Sequence, residues 1–133
     1  MKKKHSFLTK NIIIASDHAG FGLKELIKKK LENLGLNILD LGVDNKKVSV
    51  DYPTYAKKLS KKINSKNMGI LICGSGIGMS IASNRFKNVR SALVNSSTLS
   101  KLSRKHNNAN IICLAARFVS KKVAIQCILS FLT

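Results

Sequence analysis

The chain has 133 residues, 44% of them hydrophobic, enough for one domain with a real core. No run is long and apolar enough to span a bilayer, and the short run Ile12–Ala15 after a basic start lacks the length of a signal-peptide core; a cytoplasmic location is expected. Twenty-four Lys and Arg against six Asp and Glu give a formal charge of +18. The charges are mostly lysines spread over several segments, aromatics are 5%, and tryptophan is absent. That argues for solvated helix faces and an attraction for phosphorylated substrates, and against a nucleic-acid partner.

The first ten residues read as a mobile basic extension, and residues 11–133 as a single domain. Asn11 to Ala15 predicts a strand, followed by the loop Ser16-Asp17-His18-Ala19-Gly20. Leu23, Leu26, Ile27, Leu31 and Leu34 recur at helical spacing, with Lys24, Lys28, Lys29 and Glu32 filling the other face. Gly35 suits the end of that helix. Leu36 to Leu41 predicts a second strand, and a polar loop runs on to Asp51-Tyr52-Pro53. A helix is expected from about Thr54 to Ser65, and a strand from Met68 to Cys73.

Cys73 opens Gly74-Ser75-Gly76-Ile77-Gly78, and a short helix follows to about Phe86. Arg90–Val94 and Asn110–Ala115 predict the last two strands, with Ser96–His106 helical between them and Ser120–Leu132 helical after them. This alternation predicts an α/β fold, a three-layer α/β/α Rossmann-like domain on a five-stranded parallel sheet. Its site lies beyond the carboxyl ends of the strands. The apolar side of the last helix, Val123 to Leu132, suits core packing or a subunit contact.

The three cysteines, Cys73, Cys113 and Cys127, show neither disulfide nor zinc spacing, so no metal site is expected. Cys113 and Cys127 sit among apolar neighbours as small core residues do. The glycines after Cys73 can form a tight strand-to-helix turn or an anion-binding row of N–H groups. A thiol beside such groups can have a lowered pKa, which favours the second reading. The spacing is not that of a dinucleotide fingerprint. Asp17 can cap the following helix or act on a substrate, and His18 can bond within its loop or do the same. His106 suits a helix C-terminus electrostatically, with or without a further role. Arg117 stands where its fork can take a phosphate, or form a surface ion pair.

Four stretches in order, ASDHAGFGLKELIKKKL, LGVDNKKVSVDYP, GILICGSGIGMSIASNRF and LSRKHNNANIICLAAR, resemble the sugar-phosphate isomerase family that contains type B ribose-5-phosphate isomerases and galactose-6-phosphate isomerase. The resemblance implies interconversion of ribose 5-phosphate and ribulose 5-phosphate through an enediolate, in the pentose phosphate pathway, with no cofactor. Cys73 matches the family's base, and Met79 stands where other members carry a glutamate. Gly74, Ser75, Gly76, Ile77 and Gly78 match the anion hole, with Ser75 as a hydroxyl near the base. His106 matches the ring-opening histidine, and Asn107 its substrate-contacting neighbour. Asp17 and His18 match a pair that contacts sugar and phosphate, Arg117 a phosphate-binding arginine, and Tyr52 a pocket-lining tyrosine.

A homodimer or homotetramer with sites at the subunit interface is also implied. The family's tail of type GGRHxxR has no counterpart here, which leaves Arg117, His18 and a lysine or a partner chain to hold the phosphate. The motifs also admit galactose 6-phosphate or allose 6-phosphate as substrate, and the charge admits a non-catalytic basic binding protein, against which Cys73, His106 and Asp17 argue.

Overall fold

The computed structural model describes residues 5–133. Its five strands, β1 (Asn11–Ser16), β2 (Asn37–Asp40), β3 (Met68–Cys73), β4 (Ser91–Leu93) and β5 (Ile111–Ala115), form one parallel sheet in the order β2-β1-β3-β5-β4. Five helices alternate with them: α1 (Phe21–Asn33), α2 (Tyr52–Ser60), α3 (Ile77–Ser83), α4 (Ser97–Asn107) and α5 (Lys121–Leu132). The chain is thus the α/β fold expected. β5 inserts between β3 and β4, an order that the alternation of elements alone does not specify.

Burial explains the centre of the sheet. β3 and β5 are buried at every position and β1 at all but its first, as continuous apolar runs covered on both faces should be. One core lies on the face of α1 and α5, where Ile12, Ile14, Ile70, Ile72, Ile112 and Leu114 meet Ile27, Leu31, Ile128 and Phe131. The other lies under α2 and α3, where Ile13, Leu71, Ile111 and Cys113 meet Ala56, Leu59 and Met79. Each such isoleucine, leucine, methionine or phenylalanine contributes about 1.5–3 kcal/mol through burial. α5 places Ala124, Cys127, Ile128, Phe131 and Leu132 inside, so its apolar side is core.

Helix ends follow local chemistry. Gly35, at φ 88°, ends α1 in a double turn: its N–H donates to Glu32 O at 3.0 Å and the Leu36 N–H to Leu31 O at 3.1 Å. α2 begins at Tyr52, two residues earlier than expected, because Asp51 stands extended as its cap and Pro53 suits the first turn. It stops at Ser60; Asn67 then closes the turn before β3 by donating to Lys62 O at 2.8 Å. Ser96 and Ser120 cap α4 and α5 by accepting from the N–H groups of Leu99 and Val123.

Lys24 departs from its expected place on the solvent face of α1. It is fully buried, with Nζ 2.6 Å from Asp40 at the end of β2 and 3.0 Å from Glu25. A buried ammonium needs such partners. Burial pushes the Asp40 carboxyl up, but hydrogen bonds from Lys24 and from the Gly42 N–H, with the charge of Lys24, outweigh it and hold the group below the ordinary carboxylate range. Lys28, 3.3 Å from Asp40, is raised in turn, chiefly by that hydrogen bond.

Of the stretch expected to be a mobile extension, residues 1–4 lie outside the described residues. Further on, Phe7 packs on the α1/α5 core, the Leu8 N–H donates to Leu132 O at 2.8 Å, and the Thr9 hydroxyl donates to Lys66 O at 2.8 Å. Among the described residues no helix is long and apolar enough to cross a membrane.

Candidate active site

β3 delivers Cys73 to the carboxyl edge of the sheet, at its centre, where β1 and β5 flank it. The thiol is buried, and its Sγ accepts the Gly76 N–H at 3.1 Å. Gly76 reaches that position in the left-handed region, φ 74°, and a Cβ there would lie 2.5 Å from Leu93 Cδ1 and 3.1 Å from the Leu114 carbonyl carbon. Glycine is therefore required here by both conformation and space. The Ile77 N–H donates to Ser75 Oγ at 3.2 Å. With the amides of Gly76 and Ile77 so engaged, those of Gly74, Ser75 and Gly78 remain as the loop's other donors.

Two neighbours close on this loop. A Cβ on Gly78 would lie 2.7 Å from Tyr52 Cζ, so the phenol ring rests on the loop where α2 begins. A Cβ on Gly74 would lie 3.1 Å from Arg117 Nη1, so the guanidinium lies along the other side. Backbone bonds fix that approach: Ala116 N–H to Cys73 O at 2.9 Å and Arg117 N–H to Gly74 O at 3.0 Å. Arg117 is exposed, and the ion pairs among the described residues are confined to Lys24 and Lys28, so its fork is free for an anion.

β1 ends beside Cys73, with Ser16 in register with Ile72 and the Asp17 N–H donating to Ile72 O at 3.1 Å. Asp17 is buried, and its Oδ1 accepts the Gly20 N–H at 3.0 Å, a turn-closing bond that leaves Oδ2 for other partners. Gly20 lets the loop press on β3, since a Cβ there would meet Ile72 O at 2.7 Å. His18 Nδ1 accepts the Val50 N–H at 3.2 Å. That bond makes Nδ1 the unprotonated nitrogen of the neutral ring and leaves Nε2–H as a donor. Sequence reasoning had no signal for Val50, which acts through its backbone.

His106 and Asn107 stand elsewhere. α4 leaves the carboxyl edge at Ser97 and returns the chain to the amino edge, so its last residues sit where β5 begins. The helix is 11 residues, about 16 Å, long. Asn107 O accepts Arg90 Nε–H at 2.7 Å just before β4. Within one chain, then, these two side chains are not brought to Cys73. Both are exposed. A cavity of about 460 Å³ borders this same edge, lined by Met68, Arg90, Arg104, Asn108 and Asn110 among others, and Cys73 takes no part in it.

The other cysteines are packed in the interior. Cys113 lies 2.9 Å from Ser91 Oγ, and burial pushes its thiol up to about 12. Cys127 is also raised by burial. Among the described residues no group of three or more His, Cys, Asp or Glu side chains is gathered to hold a metal ion.

A family model described as Ribose/Galactose Isomerase matches residues 12–133. The structure of ribose 5-phosphate isomerase B from Anaplasma phagocytophilum superposes with a TM-score of 0.94 at 43% identity, over 96% of this chain and 88% of that one. Ribose-5-phosphate isomerase B from Mycoplasma genitalium, solved with bound ribulose 5-phosphate, gives 0.84 at 42% identity over 91% and 82%. The Escherichia coli ribose-5-phosphate isomerase B is 35% identical over 117 residues, 86% of this chain and 78% of that protein.

Proposed function

The chain belongs to the ribose/galactose isomerase family, and from that membership we propose that it interconverts ribose 5-phosphate and ribulose 5-phosphate with Cys73 as the base. The observation that carries this is the thiol at the end of β3, accepting a backbone N–H and facing a glycine loop with further amides. The reaction moves one proton between adjacent carbons. A thiolate at Cys73 takes the proton from C2 of the open-chain aldose and returns it to C1 of the enediolate. One base on one face can do both. The amides of Gly74, Ser75 and Gly78 stabilise the enediolate oxygens; losing one such donor typically costs about 10²–10³ in rate. Arg117 and His18 Nε2–H bind the phosphate end, Asp17 Oδ2 a sugar hydroxyl, and Tyr52 walls the pocket. The +18 charge draws phosphorylated substrates toward the protein.

His106, as ring-opening acid–base group, and Asn107 serve a site on a second copy of the chain. Two observations support this. They lie at the sheet edge opposite Cys73. A band of apolar side chains also stands exposed around edge strand β4: Ile77 and Ile81 on α3, Leu93 on β4, and Leu99 and Leu102 on α4. α4 turns Ser100 and Ser103 inward and these leucines outward, the reverse of a helix that ends at solvent. A two-fold dimer covering this band completes two sites at once. We place the enzyme in the cytoplasm.

The test is kcat/KM on a panel of sugar phosphates. Ribose 5-phosphate should be preferred over galactose 6-phosphate and allose 6-phosphate. A hexose phosphate preference would overturn the pentose assignment. Salt-sensitive nucleic-acid binding without turnover on any sugar phosphate would overturn the enzyme reading.

A further inference from the structure

The turn that carries His106 and Asn107 is held by two arginines that have no carboxylate partner among the described residues. Arg90 donates through Nε–H to Asn107 O at 2.7 Å and through its backbone N–H to Asn110 Oδ1 at 2.8 Å. Its carbonyl accepts the N–H groups of Asn110 and Ile111 at 2.8 and 3.3 Å. Arg104 donates through Nη1 to Asn108 Oδ1 at 3.2 Å and to Ala109 O. Asn108 takes the left-handed conformation, φ 49°, and Asn110 donates to Asn88 O at 2.8 Å.

Ala109 anchors the end of the turn in the core at 1% exposure, but the residues before it have no such packing. His106, Asn107 and Asn108 are exposed, and the 460 Å³ cavity opens beside the turn with both arginines and Asn108 in its wall. Backbone bonds close the helix end, from the Asn108 N–H to Arg104 O at 3.2 Å and the Ala109 N–H to Ser103 O at 3.0 Å, and the arginine bonds add the side-chain hold on its exposed part. A guanidinium is suited to the task because its donors form a rigid planar fork, where a lysine offers one rotating ammonium. Helix C-terminal carbonyls also favour a cation.

We propose that Arg90, assisted by Arg104, is a positioning residue of the isomerase: it aims the His106 imidazole and the Asn107 amide at the substrate held by Cys73 of a second copy. This rests on the isomerase reading above. Misplacing a reacting group by about 1 Å can cost about 10²-fold in rate. The loss should fall on ring opening more than on proton transfer.

Two reactions separate these steps. Converting ribose 5-phosphate to ribulose 5-phosphate requires the furanose to open. Exchange of a C1 hydrogen of ribulose 5-phosphate with D₂O does not, because O5 carries the phosphate and the ketose is open-chain. In that exchange Cys73 takes a proton from C1, the thiol trades it for solvent deuterium, and deuterium returns to C1. Arg90→Ala should lose about 10²-fold in conversion and at least about tenfold less in exchange. Millimolar guanidinium should restore part of the conversion. Arg90→Lys should show a milder form of the same imbalance, and it carries the comparison should Arg90→Ala melt early.

Equal losses in both reactions, or no loss in either, would overturn the proposal. The His106 imidazole resonances give a readout without substrate: they should shift in Arg90→Ala while those of His18 stay put. Unchanged His106 resonances would overturn the positioning role whatever the activity. A shift in a protein whose wild type is inactive on every sugar phosphate would uphold the clamp and overturn the isomerase reading.

Discussion

Replacing Gly76 by alanine probes the loop around Cys73 at its most constrained point. Two costs add. An L-residue at φ 74° loses about 1–2 kcal/mol. The new Cβ would lie 2.5 Å from Leu93 Cδ1 and 3.1–3.2 Å from the Leu114 carbonyl. Leu93 is 41% exposed and its tip can swing aside, whereas the Leu114 carbonyl belongs to central strand β5 and cannot. Overpacking against such a neighbour costs about 1–3 kcal/mol. The relief at Leu93 brings the expected destabilisation to about 3 kcal/mol, which lowers the melting temperature by about 10 °C in a chain of this size. Gly22→Ala is the control: it lies in the first turn of α1 with nothing within 4 Å, and should stabilise by about 0.5 kcal/mol. Urea and thermal melts of both variants give the comparison. A Gly76→Ala protein as stable as Gly22→Ala would refute the loop conformation, and with it the N–H bond to Cys73.

Asp40→Asn should destabilise by about 3 kcal/mol near neutral pH, because it leaves the buried Lys24 ammonium with only the half-exposed Glu25. Since the folded-state pKa of Asp40 is lowered, its contribution is complete above its unfolded value of about 4 and fades as pH falls through the lower folded value. The wild-type advantage in denaturation midpoint should therefore hold from neutral pH to about pH 5 and shrink below pH 4; a pH-independent gap would contradict the pairing. Mixing inactive Cys73→Ala with inactive His106→Ala under subunit exchange should recover roughly a quarter of wild-type activity, since heterodimers carry one intact site each. No recovery would contradict the shared site.

Much of the carboxyl edge was legible in the sequence. The run Met68–Cys73 followed by alternating glycines marks a buried strand and a tight loop whatever surrounds it, and β3 has those bounds. Gly35 marked the end of α1 because only that backbone conformation closes the turn. Pairings set by tertiary structure were not legible. Lys24 reads as a surface lysine until Asp40 of β2 arrives beside it. Strand order escapes because β5 pairs with β3 through contacts far apart in the chain. The displacement of His106 and Asn107 was open to deduction: a helix that follows a strand of a parallel sheet ends at the amino edge, opposite the loops that gather Cys73, Asp17 and Arg117. Arg90 and Arg104 gave no signal, since they act on backbone carbonyls and an asparagine amide.

The most direct test of the central claim is the isomerisation of ribose 5-phosphate by purified protein, wild type against Cys73→Ala, with a melting curve for each. Cys73 is buried beside the Gly76 N–H, so the truncation should leave the fold melting cooperatively while turnover falls to background. A Cys73→Ala protein that converts ribose 5-phosphate at the wild-type rate would contradict the account.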